Sequence, residues 1–472
     1  MSAQDEPQKG TGLIFDVQAY RAVPYKAPVT ADTYANLPVA ANLEKYCPTP
    51  GDQGRYSTCT AFAVGYHLRT ILYGIEQQQT SRAQLDRHIF SPTFVYEKIK
   101  DESDLDCMQG SSPVAALELL RSVGIPTLAT VPYLCGSAIG TDAMLEATAY
   151  PILDYQILYG TDLADTDPIK TLSVKKSLSE GSPVVIGFKV HQSFYQSGAV
   201  WKEQESDRGP TGQHGLHAMV VVGYDDARAG GSMRVMNSWG TRWGDKGFVW
   251  IPYEDFNRNC IMALQAYGKR PARPTPRPGP DGKTPELPPL LQGKVAFEER
   301  DGTPMAAIKV VPPEDRSNQT RYVGYRMARS YASGTRFRFY ITTNTDCYLY
   351  AFATDLTGEI TTILPFQDNM SPHIGPNSTI AFPSERKVVR MDRQPGTDYL
   401  LMLYSEEPLD VEALKAAMEA NSGTLSLKVA QALGSRIVPE QYIQFDPDQI
   451  GFTVTQKTRG SVVPLMVEIQ HD

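Results

Sequence analysis

Residues 1–36 show little periodicity and read as a flexible or surface-wrapping lead-in. The first regular pattern follows them. Apolar side chains at Cys59, Phe62, Ala63, Tyr66, Leu68, Ile71 and Leu72 recur at helical spacing, which predicts an amphipathic helix over 59–73. Ser57 and Thr58 stand ahead of it as N-cap candidates. A second helix is predicted after Pro113, closed by Gly124 with Pro126 beyond, and a third over 174–181. Short β-branched or aromatic runs then fall at 183–190, 217–225, 233–239 and 247–253, punctuated by glycine. Helices first and strands afterwards predict an α+β architecture for residues 37–268.

The pattern breaks at 269–290. Eight of the nineteen residues from Pro271 to Pro289 are proline, which excludes a helix interior or a central strand there. An extended spacer between two folded parts is expected, with a proline-rich ligand for a partner domain as the alternative. Beyond it, 335–343, 347–355, 359–365 and 398–405 read as strands, while 410–420 and 427–434 read as helices. A C-terminal β-sandwich with attached helices is predicted for 291–472, either recruiting a protein partner or serving as an inert appendage.

Composition narrows the function. The 472 residues carry 45 Lys+Arg against 53 Asp+Glu, a net charge of −8 with no polybasic block, which argues against nucleic acid as a partner. No apolar run is long enough to span a membrane. The opening MSAQDEPQKGTG has no basic and no apolar signal region, so a cytoplasmic protein is expected, with signal-independent export compatible with the same features. Six scattered cysteines, without a CxxC pair, fit neither a disulfide scaffold nor a zinc module. No cofactor or metal is expected.

One of these cysteines has chemistry around it. Cys59 falls at the start of a helix, where free N–H groups and the helix dipole favour a thiolate; a small buried hydrophobe is the alternative. A nucleophilic thiol needs a base, and the base an orienting partner. Folding the hairpin about 227–228 brings His217 opposite Asn237, within reach of an amide–imidazole bond. Gln53, between Gly51 and Gly54, can place an amide NH₂ beside the Cys59 N–H as an oxyanion hole.

The segments DQG-x4-C-x-AF (52–62), HAMVVVGYDD (217–226) and NSWGTRWGDKGFVWIPY (237–253) resemble the papain-like cysteine peptidases. SPTFVYEK (91–98), the stretch 109–133 and the stretch 181–201 follow in the family's order. The resemblance covers about 37–265 and implies a two-subdomain fold, a helical part beside an antiparallel β part. It implies Cys59 as nucleophile, His217 as base and acid, Asn237 as orienter and Gln53 as oxyanion donor. Trp239 would shield the Asn–His bond, and Gly110 with Ser111 would hold extended polypeptide substrate. His214 competes as base, but the apolar strand directly following His217 favours the latter.

Several positions depart from the family. Tyr56 stands where a cysteine usually precedes the nucleophile, so that disulfide is excluded and Cys107 is expected free. Thr60 replaces the usual aromatic residue after the nucleophile. The residues before Leu37 are too few for the usual inhibitory prodomain. Together these suggest a bacterial-type enzyme of a reducing compartment. The expected activity is cysteine endopeptidase; a catalytically dead binding scaffold and a transglutaminase- or amidase-like acyl transferase are the alternatives.

Overall fold

The computed structural model describes residues 9–208, 214–271, 288–310, 324–357, 359–367 and 369–472. Most of the proline-rich run, 272–287, lies outside the described residues. The chain gathers into two units: residues up to Tyr25 with Leu37–Pro274, and Lys26–Asn36 with Thr275–Asp472. The lead-in is therefore divided between them, 26–36 belonging to the second.

In the first unit, the long helix begins as Cys59–Ala61, widens to a π-helix over Phe62–Arg69, and returns to α over Thr70–Glu76. Neither N-cap candidate caps it through a side chain; the Thr58 hydroxyl instead meets the Tyr133 hydroxyl at 2.8 Å. Helices Pro92–Ile99 and Pro113–Ser122 each begin on proline, with Ser91 and Ser112 accepting first-turn N–H bonds. Gly124 turns the chain at φ +89°, where a Cβ would lie 1.9 Å from the Ala147 carbonyl oxygen.

The β half is one antiparallel sheet in the order Asp154–Ile157, Cys260–Tyr267, Val184–His191, His214–Asp225, Ser232–Met236 and Phe248–Pro252. The expected hairpin forms, in a different register. Asp225 faces Ser232, and a bulge between Val221 and Gly223 sets Val220 against Met236, so His217 and Asn237 are not cross-strand partners. Helix and sheet share one buried core, in which Cys59, Leu68, Val185, Val220 and Trp239 take part.

Cys107 is not free: it is bonded to Cys135, in the loop after Tyr133. The bridge does not need the cysteine absent at Tyr56. Cys47, Cys59 and Cys260 are buried free thiols, and Cys347 is buried as well.

Among its described residues the second unit holds two sheets. One runs Ser378–Phe382, Arg336–Thr343, Leu291–Glu299, Ile450–Val454 and Ile443–Phe445; the other centres on Cys347–Thr354, Gly396–Ser405 and Val462–His471. Phe337, Phe339 and Ile341 are the buried alternate positions of their strand. Strands Gly324–Met327 and Val462–His471 pair in parallel, while Val462–His471 pairs antiparallel with Gly396–Ser405. Helices Val411–Ala420 and Leu425–Leu433 pack Leu414, Met418 and Val429 against Tyr350, Phe352 and Leu401 of the second sheet.

Candidate active site

Cys59 is wholly buried where the long helix meets strand His214–Asp225. Burial pushes the Cys59 thiol up to about 11, against the smaller lowering effect of the nearby N–H groups of Ala218, Thr60 and Gly12 and of the Thr60 hydroxyl. His217, next in the chain to Ala218, is equally buried, and burial pulls its imidazole down to about 4 against the opposing effect of Asn237.

The orientation of His217 follows from its partners. The Ser238 backbone N–H donates to Asn237 Oδ1 at 2.7 Å, which makes that oxygen an acceptor. The same oxygen lies 2.7 Å from His217 Nε2, so Nε2 carries the proton. Nδ1 is then a bare lone pair, buried and without a hydrogen-bond partner among the described residues. Asn237 reaches this position from beyond the end of its strand rather than across a ladder. Trp239, 1% exposed, covers the pair with its ring 4.8 Å from the imidazole. His214 is an odd number of residues from His217 and so faces the other side of the strand, its ring 5.7 Å from His191.

Gln53 is fixed on several sides. Its Oε1 accepts from Ser238 Oγ at 2.6 Å and its backbone N–H donates to the Ser238 carbonyl at 2.9 Å. Tyr133 donates to the Gln53 carbonyl at 2.9 Å. With Oε1 committed, Nε2 faces the cleft, donating to the carbonyls of Tyr56 at 2.8 Å and Gly10 at 3.1 Å.

That last contact belongs to a segment the sequence did not reveal as part of the site. Lys9–Ile14 of the lead-in threads the cleft. The Gly12 carbonyl accepts from Ser111 N–H at 2.9 Å, and Ile14 N–H donates to the Ser111 carbonyl at 3.0 Å, a parallel bridge centred on Leu13. Gly12 and Leu13 N–H groups both approach the Leu216 carbonyl, at 3.2 and 3.1 Å. Trp239 Nε1 donates to the Gly10 carbonyl at 3.1 Å. Gly110, at φ +89°, admits this strand, since a Cβ there would lie 2.2 Å from Gly12 O. Leu13, 5% exposed, reaches the sheet beside Gly187 and Met262. The readable signal was the glycine pair in KGTGLI, which permits close threading.

Fold and site together are those of a cysteine peptidase. Residues 24–269 match the profile described as papain family cysteine protease, and the chain belongs to that family. Residues 330–408 match a domain of unknown function (DUF4384). The chain is 28% identical over 236 residues to Cathepsin B-like CP2 of Giardia intestinalis, covering 47% of this chain and 68% of that one. It is 26% identical over 209 residues to Cathepsin B-like CP3 of the same organism, covering 43% and 64%. Among solved structures it is similar to Xylellain, a cysteine protease from Xylella fastidiosa, at 24% identity, covering 57% of this chain and all of that one, with a TM-score of 0.44.

Proposed function

We propose that the chain is a latent cysteine endopeptidase whose lead-in occupies its own cleft. The observation that carries this reading is the fixed tautomer of His217, whose bare Nδ1 belongs to the strand that packs against the helix start at Cys59. In the open enzyme His217 Nδ1 takes the Cys59 proton, and the thiolate attacks the carbonyl carbon of the scissile peptide. The oxyanion is held by Gln53 Nε2 and the Cys59 N–H. Collapse breaks the C–N bond, His217 gives its proton to the leaving amine, and a thioester remains. His217 then deprotonates a water, which hydrolyses the thioester and returns the thiol. Asn237 keeps the ring oriented throughout.

Substrate is an extended polypeptide paired with the Ser111 backbone and presenting an aliphatic side chain where Leu13 now lies. The Gly12 carbonyl is taken by the Ser111 N–H and the Gly12 N–H by the Leu216 carbonyl, so the lead-in fills the site through backbone bonds on both sides. The Cys107–Cys135 bond supports an oxidising compartment for the folded enzyme.

The test is labelling by a thiol-directed peptidyl epoxide after the lead-in is displaced, with the adduct mapped by mass spectrometry. Selective modification of Cys59, abolished by His217→Ala, is the expected result. Modification no faster than that of Cys47, Cys260 or Cys347 overturns the reading.

A further inference from the structure

The lead-in does not stay with the unit whose cleft it fills. After Tyr25, residues Lys26–Asn36 pack with the second unit. There Thr30 N–H donates to the Thr379 carbonyl at 2.9 Å, and Thr379 N–H donates to Thr33 Oγ1 at 3.2 Å. Ala31 N–H donates to the Glu385 carboxylate at 2.9 Å. Thr30 and Thr33 are buried, and their hydroxyls meet at 3.0 Å.

Thr379 belongs to Ser378–Phe382, an edge strand with its ladder partner on one side only, where Thr342 lies opposite Thr379. Its outward N–H and C=O are the groups an edge leaves unpaired, and the lead-in takes both. We propose that the second unit is the anchor of the inhibitory segment: the edge at Thr379, with Glu385, holds Lys26–Asn36 and thereby sets how readily Gly10–Ile14 leaves the cleft. This rests on the reading that Gly10–Ile14 blocks a working site.

The coupling is a matter of tethering. Between plug and anchor the chain is pinned by Tyr20, whose hydroxyl donates to the Tyr159 carbonyl at 2.9 Å, and by the bridge of Tyr25 to Ile157. Each fixed point raises the effective concentration of the next, so loosening one end lowers the hold on the whole. Two hydrogen bonds of ordinary strength, partly transmitted, correspond to roughly threefold to tenfold in the open fraction.

The test uses the full chain and the rate of Cys59 labelling by the peptidyl epoxide. The double variant Thr33→Val with Glu385→Ala is compared with the unaltered protein and with Gly12→Val, which disturbs the plug itself. Labelling of the double variant roughly threefold to tenfold faster than the unaltered protein supports the anchor. Labelling at the unaltered rate, while Gly12→Val reacts fast, overturns the anchor and leaves the blocked-site reading standing. If Gly12→Val itself reacts no faster, the blocked-site reading falls and takes the anchor with it. Amide exchange at Gly10–Ile14 gives a second readout: protection is lost in the double variant while strand Val184–His191 keeps its own, and undiminished protection at the plug overturns the proposal.

Discussion

Gly12 lies so close to Ser57 that a Cβ added to it would stand 2.4 Å from the Ser57 Cβ and from its carbonyl oxygen. Gly12→Val is therefore expected to expel the segment from the cleft. Overpacking costs about 1–3 kcal/mol, or roughly tenfold to a hundredfold in the open fraction. The rate of Cys59 labelling measures it, and an unchanged rate counts against occlusion by this segment.

Opening the cleft should also change the pH profile. In the closed state burial raises the Cys59 thiol to about 11 and lowers His217 to about 4, so both groups stay neutral near pH 7. Hydration on opening removes the cause of both shifts: the thiol falls and the imidazole rises. Alkylation of Cys59 by a small haloacetamide should inflect at lower pH in Gly12→Val than in the unaltered chain. Coincident profiles would contradict this.

In the Gly12→Val background, Gln53→Ala is expected to lower kcat about 10²–10³-fold by removing one oxyanion donor, with KM little altered. Asn237→Ala frees the His217 ring and is expected to lower kcat by about 10²–10⁴. Steady-state hydrolysis of a peptide substrate separates the two parameters.

The Cys107–Cys135 bond closes a loop of sequence separation 28. Replacing both cysteines by serine is expected to reduce stability by about 3–4 kcal/mol on the chain-entropy estimate. Denaturant unfolding of the first-unit transition reads this, and intact mass before and after reduction counts the bond.

A buried ion pair offers a further stability test. Arg69 and Glu76 meet at 3.1 Å with side chains 1% and 6% exposed. Glu76→Ala leaves the guanidinium unpaired and should cost about 3–5 kcal/mol, seen as a lower Tm.

Legibility in the sequence tracked local chemistry. Cys59, His217, Asn237 and Gln53 could be singled out as a set, through their combination and the motifs that resemble the papain-like peptidases, since each is weak alone. The role of Lys9–Ile14 could not, because that strand is held by long-range backbone bonds to Ser111 and Leu216 and has no periodicity of its own. The His217–Asn237 pair was expected for a mistaken reason: the hairpin closes with Asp225 opposite Ser232, further along the chain than a turn about 227–228 allows, and the Asn237 side chain bridges the difference. Strands Leu291–Glu299 and Val462–His471 went unread because Gly293 and Pro464 lie inside them, residues that ordinarily argue against a strand interior. Cys260–Tyr267 is rich in helix formers, and its place in the sheet comes from tertiary packing.

The filling of the cleft by Lys9–Ile14 sets the kinetic order of activation. A closed molecule has Lys9–Ile14 in its own cleft, so proteolytic removal of the segment is expected to be carried out by molecules that are already open. Conversion of a purified stock should then begin with a lag, accelerate as active copies accumulate, and shorten its half-time on concentration. A trace of already opened enzyme should abolish the lag.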